Sequence, residues 1–73
     1  MTTSAEWARA YAAAADISPP SPDDIDVLLR LAGVAAHASE RTAAPITCWI
    51  AATAGLTPAR ALALAESMAA PPT

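Results

Sequence analysis

Residues 21–41 read SPDDIDVLLRLAGVAAHASER, and this stretch decides the fold of the chain. Its apolar residues recur at the helical period, and its polar residues form only a narrow stripe. Ser21 suits the N-cap and Pro22 the first helical position. A helix that is apolar over most of its circumference is usually central, so we predict a central helix over about residues 22–41. Gly33 costs it about 1 kcal/mol relative to alanine, and we expect a close helix crossing there.

Cap and proline signals predict three further helices around this one. Thr3 and Glu6 read as a capping box that begins the first helix, in which each side chain satisfies the other residue's backbone N–H. Pro45 suits the first turn of the third helix, and Thr57-Pro58 caps and begins the fourth. These signals place all four helix starts.

The helix ends follow from glycine and proline. Gly55 is a natural C-terminal cap for the third helix, and Pro71-Pro72 stops the fourth. The predicted helices span about residues 3–15, 22–41, 45–54 and 58–70. Because no β-rich run occurs, we predict an all-α chain, with residues 1–73 forming a single compact four-helix domain with short connections.

Composition predicts a thin core. The 73 residues include 22 alanines, against 17 larger apolar residues after Met1. Alanine favours helices but brings little apolar area to a core, and burial contributes only about 25 cal/mol per Å². A chain this short is marginal even with a normal composition. We therefore expect a weak monomer, a homo-oligomer or a domain completed by a larger partner protein.

Charge and targeting signals exclude several classes of protein. The net charge is −3, lysine is absent and the four arginines are scattered, whereas nucleic-acid binders need a clustered basic face. The N-terminal residues lack the order of a signal peptide, and the longest apolar stretch, residues 43–56, is too short to span a bilayer. The one cysteine fits a reducing compartment. We expect a soluble cytoplasmic protein that binds neither nucleic acid nor membrane.

The sequence offers little chemistry for catalysis or metal binding. A nucleophile needs a base within reach, and only Cys48 and His37 could form such a pair. Cys48 is flanked by apolar residues and is expected to be a buried core cysteine. One histidine and one cysteine cannot make a closed zinc site. We therefore predict a chain that is not an enzyme and holds no metal or cofactor.

One polar constellation stands out near the end of the second predicted helix. His37 and Arg41 are four residues apart, so they would project from the same helical face, and Thr47 follows beyond Pro45. Two interpretations stay open. The two basic residues stabilise the C-terminal end of the helix dipole, or the corner binds an anion or a partner.

The same residues carry a family resemblance. The run Asp24–Ala32, DIDVLLRLA, leads into His37–Thr47, HASERTAAPIT, and together these resemble a small bacterial family of uncharacterised helical domains. The matching motif is His-x3-Arg-x-Ala-Ala-Pro-aliphatic-Thr, and its positions here are His37, Arg41, Pro45 and Thr47. This sequence departs from the family in having Cys48-Trp49 after the threonine.

The resemblance implies a biological context and no catalytic residue. Members of the family occur alone or joined to molybdenum-cofactor guanylyltransferase domains, and near genes for formate dehydrogenase and its maturation. By association, this implies molybdoenzyme biology.

Two functions are therefore expected. The first is a non-catalytic interaction module, an accessory factor or small subunit of a molybdenum or tungsten enzyme such as formate dehydrogenase, or of its cofactor-maturation machinery. Trp49 and Trp7 are candidate contact residues, because tryptophan is enriched in binding hot spots. The motif positions His37, Arg41, Pro45 and Thr47 are the other candidates for partner binding. The alternative is a regulatory domain that binds a pterin phosphate or nucleotide near His37, Arg41 and Thr47.

Overall fold

A computed structural model describes residues 2–70, and within them the chain is all-α. The four helices are α1 (Ser4–Ala14), α2 (Pro22–Ala38), α3 (Ala43–Thr53) and α4 (Pro58–Ala69). The predicted all-α four-helix fold is confirmed. The predicted stop at Pro71-Pro72 lies outside the described residues.

Three helix starts are fixed by the hydroxyl caps that the sequence predicts. In each, the backbone N–H of the third helical residue donates to the cap oxygen: Glu6 to Thr3 (3.1 Å), Asp24 to Ser21 (3.0 Å) and Arg60 to Thr57 (3.2 Å). The capping box is half correct. The Glu6 carboxylate accepts a hydrogen bond from the Thr3 hydroxyl at 3.2 Å, where a full box would take the Thr3 backbone N–H.

Two helices end in the same left-handed turn. After α3, Gly55 has φ +76° and its N–H donates to the Ala52 carbonyl at 3.0 Å, while Leu56 donates to Ala51 at 3.0 Å. These two bonds make a Schellman motif, which confirms the glycine cap. α1 ends in the same way at Asp16, whose φ is 61°. No glycine marks that end in the sequence.

The predicted end of the second helix is wrong. α2 stops at Ala38, and Ser39 leaves the helix with φ −127° and ψ −101°. The Glu40 carbonyl then accepts from Ala43 at 2.8 Å in the turn that leads into α3. Pro45 requires a break before α3, because in a continuous helix its ring would collide with the Arg41 carbonyl, but it does not require the helix to end as early as Ala38. α3 begins two residues before Pro45, which occupies its first turn as predicted.

α2 is the central helix, as predicted. It packs against both α3 and α4, which contact each other less than either contacts α2, and α1 packs less extensively. The core cluster is Leu31 of α2 with Ala51, Ala61 and Leu62. Leu31 is the one large side chain fully buried within the described residues. The fold is therefore held chiefly by α2, α3 and α4.

Gly33 has a different surrounding from the one predicted. A Cβ atom built at Gly33 would meet no heavy atom within 4 Å, so no neighbouring helix crosses closely there. The predicted crossing is wrong, and nothing in the structure explains this glycine.

The thin core is confirmed. Among the described residues, six apolar residues are buried, and four of them are alanines: Ala12, Ala35, Ala51 and Ala61. The chain exposes 5680 Å² to solvent. A compact monomer of this mass exposes about 4200 Å². The elongated shape, with extents of 44 × 27 × 19 Å, and nine exposed large apolar side chains both contribute to the excess.

Candidate partner-binding surfaces

The predicted polar corner does not form one pocket. Because α2 ends at Ala38, Arg41 lies in the following turn, so His37 and Arg41 do not share a helical face. His37 lies in the last turn of α2 and lines an open depression with Arg30. Thr47 lines two other depressions along α3. The prediction of a His37–Arg41 pair required both residues to lie in one helix, and the exposed Arg41 lies outside it.

Of the two basic residues, only His37 lies where the capping interpretation requires. Its place in the last turn of α2 puts it near the carbonyl end of the helix dipole, where a positive charge is favoured by about 0.3–1 kcal/mol. Arg41 is three residues beyond the last helical residue, so it has no such position.

An apolar groove runs between α3 and α4, and we call it the α3–α4 groove. Leu31 of α2 forms its floor, Thr47 and Ile50 line it from α3, and Leu64 and Met68 line it from α4. It exists because α3 and α4 both pack on α2 and contact each other little. Its volume of about 190 Å³ is below the ~300 Å³ at which small-molecule pockets begin. The groove therefore fits side chains better than a whole ligand.

α3 carries an apolar face that points away from the core. Ile46, Trp49 and Ile50, which we call the α3 face, are all exposed, and Trp49 is 70% exposed. The side of α3 that packs on α2 is formed instead by small residues, of which Ala51 is buried. Ile50 belongs both to this face and to the wall of the groove. The face and the groove thus form one continuous apolar surface, the α3–α4 surface.

A second apolar surface lies on α1. Trp7 and Tyr11 are both exposed, and their ring centroids are 6.2 Å apart with the planes tilted by 39°. The two rings, four residues apart, therefore share one face of the helix. Contact in this geometry holds the rings together and leaves their outer surfaces in water. We call them the α1 aromatic pair.

The sequence pointed to Trp7 and Trp49 but missed their neighbours. Tyr11, Ile46, Ile50, Leu64 and Met68 complete the two surfaces. The i, i+4 spacing of Trp7 and Tyr11 was the available signal for the first surface. For α3, the spacing of Ile46, Trp49 and Ile50 in the sequence places them on one face of the helix. The sequence does not show that this face points away from the core.

Cys48 has the environment of a structural cysteine. It is half-buried and packs against the core cluster, and burial raises the pKa of its thiol. A raised pKa lowers the thiolate fraction at neutral pH, which is the opposite of what an activated nucleophile needs. Elsewhere in the described chain, no three His, Cys, Asp or Glu side chains come together in a metal-binding group.

None of the helices in the described residues combines the length and hydropathy needed to cross a membrane.

Comparison with known proteins gives one match. A family model described as "Domain of unknown function (DUF6457)" matches residues 1–71. No curated protein and no solved structure matches the chain. The match covers the motif residues His37, Arg41, Pro45 and Thr47 and assigns them no role.

Proposed function

This chain belongs to the DUF6457 family of domains of unknown function, and we propose that it is a non-catalytic protein-binding module. One observation carries the proposal. Of the 17 apolar residues larger than alanine that follow Met1, nine are largely exposed, and two are buried. Single exposed apolar residues are ordinary, whereas contiguous apolar patches mark interaction sites.

The chain exposes more surface than a compact monomer of its mass, and two apolar surfaces contribute to it. The chain exposes 5680 Å², roughly 1500 Å² more than a compact monomer of its mass. A standard protein interface buries about 800 Å² on each partner. The excess is a total for the whole chain, polar and apolar atoms together, so the proposal depends on where the nine exposed large apolar side chains lie. Most of them belong to the α3–α4 surface and the α1 aromatic pair.

The narrower proposal names the partner. We propose a larger cytoplasmic protein, namely a molybdenum or tungsten enzyme such as formate dehydrogenase, or a molybdenum-cofactor guanylyltransferase. It is supported by the resemblance of residues 24–47 to a domain family found beside such proteins. The protein would then act as an accessory factor or small subunit.

A pull-down from the native host tests this proposal. The tagged chain and its Trp7→Asp and Trp49→Asp variants serve as bait, and the captured proteins are identified by mass spectrometry. We expect wild type to capture a molybdoenzyme or a cofactor-maturation protein, and at least one variant to lose it. Recovery of neither class by wild type would count decisively against the narrower proposal.

In the anion-binding alternative, the structure favours a different site from the predicted one near His37, Arg41 and Thr47. Arg30 and His37 line the same open depression on α2, whose volume of about 510 Å³ lies in the range of ligand sites. A pterin phosphate or nucleotide would meet two basic side chains there. A thermal-shift screen decides, because ligand at 100 times its dissociation constant adds about 2.7 kcal/mol. An unchanged melting temperature with all such compounds removes this alternative.

A further inference from the structure

α1 is held to the rest of the chain by little buried surface. Ala12 is the one buried residue of this helix, and the core cluster contains no residue from it. α2 packs extensively against α3 and α4, whereas α1 packs only weakly against any of them. Since hydrophobic stabilisation scales with the apolar area buried, a helix that buries one methyl side chain gains little from its docking.

An open gap separates α1 from the start of α2. Its volume is about 470 Å³, and its lining includes Ala5, Ala8 and Arg9 of α1 and Pro22 and Ile25 of α2. In a well-packed pair of helices, the side chains of one fill the grooves of the other. The small side chains of Ala5 and Ala8 leave the space unfilled, so the dispersion contacts of a packed pair are missing there. The docking of α1 therefore centres on Ala12.

The connection between α1 and α2 allows α1 to move as a unit. Within the described residues, the hydrogen bonds of residues 3–17 all join members of that segment, and those from Asp16 and Ile17 close the end of α1. Residues 18–20 follow without regular secondary structure. Two of these three are prolines, which have no N–H to anchor the connection by a hydrogen bond. α1 and its closing turn are therefore one structural unit on a tether.

We infer that α1 is a hinged arm, which opens at residues 18–20 while α2, α3 and α4 stay folded. Segments with few buried apolar contacts open at a lower free energy than the whole protein unfolds. A helix of 11 residues is marginal in water by itself, so the arm loses its helix when it opens. The α1 aromatic pair stands on this arm, so a protein that binds the pair on helical α1 would also order the arm. Only this last consequence rests on the proposed function.

Native-state hydrogen exchange of the whole chain, followed residue by residue by nuclear magnetic resonance, measures the opening. We expect amides in the interior of α1 to be protected at least about 100-fold less than those near Leu31 in α2. α4 is the matched control, because it is also next to a chain end and has 12 residues against 11 in α1. It packs extensively on α2, so the interior of α4 should share the protection of α2.

Two alanine substitutions in α1 separate docking from helix propensity. Ala12 is 4% exposed and Ala13 is exposed, while both have Arg9 one turn before them and Asp16 one turn after. Ala12→Asp places a charge in an enclosed position, whereas Ala13→Asp changes helix propensity equally but leaves the charge in water. We expect Ala12→Asp to abolish the protection of α1 and Ala13→Asp to reduce it much less.

Circular dichroism of Ala12→Asp gives a second readout. α1 supplies 11 helical residues, against 17, 11 and 12 in the other helices, so the helical signal should fall by about one-fifth. The protection of α2, α3 and α4 should remain.

Three results would overturn the inference: equal protection of α1 and α2 in wild type, loss of all four helices in Ala12→Asp, or equal effects of Ala12→Asp and Ala13→Asp on α1. The first two would mean that the four helices form a single cooperative unit, and the third that the enclosure of Ala12 does not hold the arm. The pull-down tests the proposed function separately, because hydrogen exchange of the isolated chain needs no partner protein.

Discussion

The substitution Leu31→Ala tests the packing of α2 against α3 and α4 most directly. Leu31 is 0% exposed and lies in the core cluster with Ala51, Ala61 and Leu62. The substitution removes three buried carbon atoms, which is about 2.4 kcal/mol of transfer free energy at ~0.8 kcal/mol each. A residual cavity adds to this, and buried leucines measured elsewhere lose about 2.7–5.0 kcal/mol. We expect a loss of about 2.5–4 kcal/mol.

This loss is large for so small a domain. Typical stabilities of 0.05–0.15 kcal/mol per residue give roughly 4–11 kcal/mol for 73 residues, and a thin core places this chain near the lower end. Leu31→Ala should therefore be close to unfolding at 25 °C. Urea denaturation followed by circular dichroism measures the free energy of unfolding. Wild type and variant are compared at one protein concentration, because the apparent stability of a chain that associates with itself would depend on concentration.

Leu29→Ala is the matched control on the same helix. Leu29 is 60% exposed, so the same substitution removes less than half as much buried area and should cost about 1 kcal/mol or less. The change in helix propensity is the same at both positions and cancels in the comparison. Equal losses at the two positions, or a loss below about 1 kcal/mol at Leu31, would refute the view that Leu31 anchors the core.

Three further predictions concern single positions. Gly55→Ala should lower the free energy of unfolding by about 1–2 kcal/mol, because the φ of Gly55 is +76°. Gly33→Ala should raise the free energy of unfolding by about 1 kcal/mol, because Gly33 lies in the interior of α2. A Cβ has open space at both positions, so changes of the same sign in urea denaturation would contradict this argument from the backbone. Asp16→Gly should gain up to about 1 kcal/mol by relieving a left-handed residue at the end of α1, and a loss would show that the Asp16 side chain stabilises that turn. Burial raises the pKa of the Cys48 thiol, so the native thiol should react with an alkylating agent more slowly than in urea. Stability should be unaffected by Cys48 titration below the ordinary thiol pKa of about 8.5 and should fall as the pH rises above it, because the fold disfavours the thiolate; Cys48→Ala should remove that part of the pH dependence.

The helix starts could be predicted because their signals are local. Thr3, Ser21 and Thr57 each bond a backbone N–H three residues ahead, so the interaction lies within four residues of sequence. Gly55 likewise marks a single residue whose left-handed conformation favours glycine. The number and order of the helices followed from these signals and from the prolines.

The end of α2 could not be predicted from local signals of that kind. Its cap residue is Ser39, which adopts an irregular conformation where no glycine or proline is present. The end of α1 is similar, since Asp16 takes the left-handed position without a glycine. The error at α2 affected the candidate site, because the pairing of His37 with Arg41 depended on three more residues of helix.

The sequence also could not predict that the α3 face points outward. α3 is apolar on both sides, with Ala51 on one and Trp49 on the other, so the periodic pattern does not say which side packs inward. The structure packs the small side on α2 and leaves the bulky side in water. Small residues allow the helix to lie close to α2, and this choice depends on the whole packing arrangement.

The placement of the bulky residues explains the weak core better than their number does. Seventeen apolar residues larger than alanine follow Met1, and only Leu31 and Leu62 are buried, while Trp7, Trp49 and seven others are largely exposed. A chain selected only for stability as a monomer would gain free energy by turning such residues inward, at about 25 cal/mol for each Å² buried. Keeping alanine inside and tryptophan outside makes sense where the outer surface is covered by another chain. The same arrangement explains both features at once, a thin core and two exposed apolar surfaces.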